Sequence, residues 1–278
     1  MEKQVPPSNN TDLKTYGFEL EIAWRDRLDN GIAYGARFIL SDYQTEITKY
    51  PNAIGSLSNH NKGQKLNNIW GYETIGIAKS DEEMQAHLNS LPDGGQTPLG
   101  SNWQAGDIMY RDLNRDGRVN SGTNTLDDPG DRRIIGNSTP RYQFGLDLNA
   151  AWKGFDLRVL FQGVAKRDYW LYAPFFWGAN DNGFWDIVGL QEHTDYFRLT
   201  QSNDLAPNIN SYYPRPLASG AYKNQHVQTR YLQNASYIRL KNLSLGYTLP
   251  QQINQKFFVS QMRLYISGDN LWTGTIAI

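Results

Sequence analysis

The residues best equipped for chemistry form one dense run, Asp112-Leu113-Asn114-Arg115-Asp116-Gly117-Arg118-Val119-Asn120. Oxygen-bearing side chains at its first, third, fifth and ninth positions match the start of a D-x-N-x-D-G-x-x-N calcium loop. In such a loop Asp112, Asn114 and Asp116 converge on a hard cation and Gly117 permits the sharp turn. The backbone carbonyl of Arg118 and the side chain of Asn120 continue the shell. The twelfth position should hold a bidentate acid, but Thr123 stands there. Asp127, Asp128 or Asp131 could take that role if residues 121–130 loop out. The competing reading is an Asn/Asp/Gly turn held by its own side chain-to-backbone bonds. Calcium, if bound, would order a loop and catalyse nothing; no other cofactor is required.

A second constellation is aromatic. Tyr169, Trp170, Tyr172, Phe175, Phe176, Trp177, Phe184 and Trp185 crowd one stretch interleaved with Gly, Asn and Asp. Indole faces pack on the C–H faces of sugars, so Trp170, Trp177 and Trp185 are candidate substrate contacts. The alternative is that a large loop needs aromatics to fold on itself. His60, His87, His193 and His226 are dispersed and form no local metal pair. HExxH, GxSxG, Walker A and a strand-following GxGxxG do not occur, so no active site is expected and the chain reads as a non-enzyme. Zero cysteines exclude thiolate zinc sites, disulfide scaffolds and cysteine nucleophiles. A net charge of -1 argues against a generally basic nucleic-acid binder.

The elements that must carry these residues are mostly strands. Six segments alternate with a period of two. One face of the first carries Phe18, Leu20, Ile22 and Trp24; of the second, Ile32, Tyr34, Ala36, Phe38 and Leu40. The third offers Phe144, Leu146, Leu148 and Trp152; the fourth, Phe155, Leu157, Val159 and Phe161. The fifth offers Leu243, Leu245, Tyr247 and Leu249; the sixth, Met262, Leu264 and Ile266. In the fifth, apolar parity changes between Leu240 and Leu243, which predicts a bulge near Lys241. These runs exceed the ~5–6 residues typical of soluble strands and fit the ~9–11 of a tilted strand crossing a bilayer. No apolar run approaches the ~20 residues of a membrane-spanning helix.

Short and long connections alternate. Asp26 to Asn30, Lys153-Gly154 and a stretch from Pro250 are short, whereas residues 48–140 and 168–236 form two long loops. Outer-membrane barrels have short turns on one side and long extracellular loops on the other. Six strands cannot close a barrel, since the smallest have about 8. Either the long loops add strands, with residues 69–77 and 107–111 as candidates, or the chain is part of a larger barrel. One short helix is expected in the first loop: Ser80-Asp81-Glu82-Glu83 is a capping box, followed by Met84, Leu88 and Leu91. The fold class is therefore all-β, an antiparallel transmembrane β-barrel segment, partial and not closed. The competing fold is a soluble calcium-ordered β-sandwich, a carbohydrate-binding module or adhesin.

Several blocks resemble one family. The run 112–120 followed by NTLDDPGDRRIIGNSTPRY (124–142), then GFDL (154–157), FQGVAKRDYW (161–170), NASYIRLKNLSLGYTLP (234–250) and SGDNL (267–271) is similar to the C-terminal half of SusC/RagA-type TonB-dependent transporters. The likeness covers residues 14–275. It implies a barrel of roughly 22 strands with a plugged lumen, in the cell outer membrane of a Bacteroidetes-type bacterium. It implies import of oligosaccharides, glycans or peptides with a SusD-like surface lipoprotein, energised by a TonB complex engaged through an N-terminal region. It also implies that Asp131, before the Arg-Arg-Ile-Ile-Gly run, supplies the missing calcium ligand. The family's plug, TonB box and final strand have no counterpart here, and the first ten residues hold no apolar core of a secretion signal. The chain is thus expected to be an internal or truncated part of the barrel, residues 1–278 all belonging to it.

Overall fold

Twofold alternation along the chain becomes a sheet whose two faces differ in chemistry. The protein is described by a computed structural model covering residues 9–178 and 189–275. Its strands in chain order are β1 (Asp12–Arg27), β2 (Ala33–Lys49), β3 (Asn68–Tyr72), β4 (Thr74–Ile77), β5 (Ile108–Tyr110), β6 (Arg132–Asn137), β7 (Arg141–Trp152), β8 (Phe155–Lys166), β9 (Asp168–Tyr169), β10 (Gln233–Asn234), β11 (Tyr237–Thr248) and β12 (Arg263–Thr275). Six of them form one sheet in the order β1-β2-β7-β8-β11-β12, and the pairings from β2 to β12 are antiparallel. The sheet is a meander interrupted twice by long insertions, between β2 and β7 and between β8 and β11.

Register turns the apolar half of each strand into rows that cross the sheet. Phe38 pairs with Leu146, Leu146 with Phe161, Phe161 with Leu240 and Leu240 with Trp272. One step along, Ala36, Leu148, Val159, Leu243 and Gly268 align; the next row is Tyr34, Ala150, Leu157, Leu245 and Ile266. Directly opposed residues share a face, so these rows make one continuous apolar surface. Its residues are exposed among the described residues: Tyr34 is 37% exposed, Leu245 48% and Ile266 73%. In a β-sandwich these rows would lie under a second sheet. The bulge occurs where the parity change put it, with register shifting between Leu240 and Asn242 on both sides of β11. It keeps Leu240 and Leu243 on one face although they are three residues apart.

The opposite face is polar and laced with ion pairs. Arg37 meets Glu21 at 2.8 Å, Arg158 meets Asp147 at 2.6 Å and Arg263 meets Asp156 at 2.6 Å. The β7–β8 hairpin closes on Lys153 and Gly154, both at positive φ (47° and 89°), the geometry that matches strand twist in a two-residue turn. A Cβ on Gly154 would lie 2.7 Å from the Thr248 carbonyl oxygen, so both space and φ require glycine.

Residues 47–137 and 169–233 form a second compact unit. The two long loops are therefore not loose: together they enclose a core containing Ile108, Tyr110, Met84, Val119, Trp103 and Tyr231. Residues 69–77 and 107–111 do contain strands, but these add nothing to the six-stranded sheet. β3 pairs with β6, and β4 with β5, in separate two-stranded sheets. The reason is length: β3 to β5 have three to five residues each, too few to cross a bilayer.

Helix α1 spans Asp81–Asn89. Ser80 Oγ accepts from the Glu83 N–H at 3.2 Å, as a capping residue should. The Glu83 carboxylate accepts from the Lys79 N–H at 2.6 Å, one residue earlier than a capping box would have it. Met84 and Leu91 are buried in the core, and Leu88 packs against it. A second helix, α2 (Gln251–Lys256), occupies the β11–β12 connection and was not expected. It is a six-residue stretch opened by Pro250, too short to show an apolar period.

Candidate functional site

The run 112–120 folds as a tight loop because its side chains hold its own backbone. Asp112 accepts from the N–H groups of Arg115 (2.5 Å) and Gly117 (2.9 Å), and Asn114 Oδ1 accepts from Asp116 N–H at 3.0 Å. Gly117 has φ +80°, and a Cβ there would lie 2.5 Å from Asp93 Oδ2. Asp131 enters from eleven residues beyond Asn120: its carboxylate accepts from Asn120 N–H (2.7 Å) and Leu113 N–H (2.7 Å), while its own N–H donates to the Asn120 carbonyl at 3.0 Å. Residues 121–130 bulge outward between those anchor points. Asp128 ties that bulge by accepting from Thr123 N–H (2.8 Å) and Gly130 N–H (3.3 Å).

One carboxylate oxygen from each of Asp112, Asp116 and Asp131 lies within 4.8 Å of the others. Asp127 is exposed and Asp128 is committed to its turn, so Asp131 alone among the three candidate acids joins the group. Burial pushes the Asp131 carboxyl above its ordinary range, against the pull of the N–H donors from Asn120, Leu113 and Asn114. Asp116 is also raised by burial, but donors from Asn114, Arg118 and Asn120 outweigh this and hold it low. The donor set is all hard oxygen, and three carboxylates this close favour a cation between them. The amides stand differently. Asn114 and Asn120 direct Nδ2 at Asp116 Oδ2 (3.1 and 3.3 Å), and Arg118 places Nε 3.4 Å from the same atom. Their oxygens accept from the N–H groups of Asp116 (3.0 Å) and Gly122 (2.5 Å), so turning either amide toward a cation would cost a backbone bond.

The aromatic candidates sit elsewhere. Trp170 and Trp177 are 5% and 6% exposed and belong to the core of the loop unit. Trp177 packs edge-on to Tyr231 at 4.8 Å. Their faces are occupied by protein, which removes them from any surface a sugar could reach. Trp185 lies outside the described residues. Of the histidines, His87 contacts Gln96 at 3.0 Å and His226 contacts the Leu99 carbonyl at 3.2 Å; burial lowers both imidazoles.

Sequence reasoning missed a buried polar centre that joins the two loops. Asp107 is fully buried and receives Arg215 Nε (2.9 Å), Lys223 Nζ (2.8 Å) and Asn224 Nδ2 (2.9 Å). Lys223 spends its other protons on the carbonyls of Ser101 (3.0 Å) and Asn102 (2.8 Å). Burial pushes the Asp107 carboxyl up, but its three donors outweigh that and hold it low. Burial lowers the Lys223 ammonium although Asp107 opposes it. The full set of acceptors around Nζ favours the charged form. No local signal could reveal this centre, because Asp107 and Lys223 are 116 residues apart.

No family model matches the chain. Among curated proteins it is 27% identical over 96% of its length to TonB-dependent receptor P3 of Formosa agariphila, and 22% identical over 96% to TonB-dependent receptor P39 of the same organism. The chain spans about a quarter of those relatives, 25% and 27% respectively. Among solved structures it resembles the RagAB peptide transporter with a TM-score of 0.65 at 20% identity, covering 96% of this chain and 26% of that one. The open-open state of the RagAB peptide importer gives a TM-score of 0.60 at 20% identity, over 95% of this chain and 26% of that one. Sequence likeness along nearly the whole chain, with a matching fold over the same span, makes this chain similar to a portion of outer-membrane TonB-dependent receptors.

Proposed function

We propose that the chain contributes wall strands and external loops to a transporter that imports oligosaccharides, glycans or peptides across the outer membrane. The observation that carries this reading is the uncovered set of apolar rows running from β2 to β12, backed by a face of paired charges. Such a sheet suits a wall with lipid on one side and a hydrated lumen on the other. Its part in that reading is to shape a passage. A SusD-like surface lipoprotein is the partner suggested by likeness to RagAB. Energy would come from a TonB complex. Calcium held by Asp112, Asp116 and Asp131 would order residues 112–131, with the Arg118 carbonyl and the side chains of Asn114 and Asn120 as its further ligands.

The test is to express the protein as its genome encodes it and follow membrane fractionation and uptake of labelled glycans and peptides. Outer-membrane recovery and TonB-dependent uptake are expected. Recovery as a detergent-free soluble monomer would defeat the reading.

A further inference from the structure

The loop unit contains a cavity that the transport reading does not use. It measures about 310 Å³ and lies wholly within residues 47–70. Its lining includes Tyr50, Asn59, His60, Gln64, Asn68 and Trp70. The wall is built in advance by its own hydrogen bonds. Asn52 Nδ2 donates to the Ser56 carbonyl (2.8 Å), the His60 carbonyl (3.1 Å) and Asn61 Oδ1 (2.8 Å), and Asn61 Nδ2 donates to the Ser56 carbonyl (2.9 Å). Strand-like bonds brace it from outside: Leu57 N–H to the Asn124 carbonyl and Leu126 N–H to the Gly55 carbonyl, both 2.9 Å. Bonds of this kind reduce the ordering that a ligand must impose on the wall.

Its lining residues keep polar atoms unpaired. Among the described residues, the Tyr50 hydroxyl, the Trp70 indole N–H, the Asn59 amide and the His60 ring make no hydrogen bond. Gln64 uses its Oε1 on Asn68 at 3.0 Å and keeps its Nε2. Amides carry a donor and an acceptor side by side, which matches adjacent hydroxyls, and aromatic rings match the C–H face of a sugar. No carboxylate lines the cavity, and the lining is mostly polar. A peptide side chain would want an apolar slot, and an anion more than the single Lys65. The volume lies at the low end for ligand pockets, about 300–1,000 Å³, so one ring fits better than a chain.

We propose that this cavity binds one neutral sugar ring of a glycan, held by the Asn59 and Gln64 amides and stacked on Trp70. The proposal rests on the importer reading, for it names a substrate class and a place where it docks. The detergent-solubilised full-length protein is tested by saturation-transfer NMR with the methyl glycosides of glucose, galactose, mannose and xylose. At least one glycoside should bind, and Trp70→Ala should weaken it about tenfold. Asn59 is exposed, so Asn59→Ala should fold normally, with an unchanged thermal melt, and weaken binding several-fold. Silence from all four glycosides, or binding indifferent to both variants, overturns the proposal. So does trialanine binding in their place with Trp70 dependence, which would make this a peptide site. Fractionation and uptake, run on the same preparations, separate this failure from failure of the importer reading.

Discussion

Asp156 of β8 and Arg263 of β12 meet at 2.6 Å over the strand that lies between them. The bridging point is Gly246 of β11, which pairs with Asp156 on one side and Tyr265 on the other. A Cβ there would lie 2.4 Å from Arg263 Nη2 and 2.6 Å from Asp156 Oδ1. A missing side chain therefore lets two outer strands be tied across a third. Gly246→Val should push both partners aside and cost about 1–3 kcal/mol by overpacking. Urea titration of folding into detergent micelles measures this; an unchanged midpoint would show that the pair does not depend on the gap.

The two sheet faces should respond oppositely to charge. Leu148 stands between Ala36 and Val159 in an apolar row. Leu148→Arg should destabilise insertion by about 2–4 kcal/mol if it lies near the bilayer midplane. Ser267, opposite Ser244 on the polar face, is the control; Ser267→Arg should change little. Heat-modifiable mobility after refolding into lipid vesicles reads both, and equal effects would count against a lipid-facing row.

The buried centre at Asp107 should behave as a unit. Asp107→Asn leaves Lys223 and Arg215 underpaired, and Lys223→Met leaves Asp107 short of a donor. Each should cost about 3–5 kcal/mol, since breaking a buried pair strands a charge. The double variant should lose less than the two combined. Hydrogen exchange across residues 97–110 and 221–231 would report this, and simple additivity would contradict the coupling.

Two carboxylates give opposite pH trends. Asp107 is held below its ordinary 3.8, so its contribution is present above that value and fades as pH falls through the lowered pKa. Asp131 is raised above 3.8 by burial. Without a cation its folded state favours the protonated form, so stability present at low pH declines as pH rises through that raised pKa. Calcium should reverse the second trend only, by favouring the ionised form. Melts of the full chain from about pH 3 to 7, with and without calcium, check this. Asp131→Asn should abolish both the calcium shift and the decline; a calcium response that survives it would place the ion elsewhere.

Much of the wall was legible because its signals are local. Period-two alternation located six strands, parity within β11 located the bulge at Lys241, and Ser80 with Met84 and Leu88 located α1. Each depends on residues a few positions apart, where backbone geometry alone dictates which side chains share a face. The acids of 112–120 were equally plain, and Asp131 was named through family likeness. What the chain could not announce was anything assembled from distant segments. The burial of Trp170 and Trp177, the Asp107–Lys223 centre and the folding of two loops into one core arise from contacts more than 50 residues apart in sequence, such as Tyr110 with Lys223, separated by 113. An aromatic run reads the same whether its faces meet a sugar or another indole, and only the folded chain decides which surface is already taken.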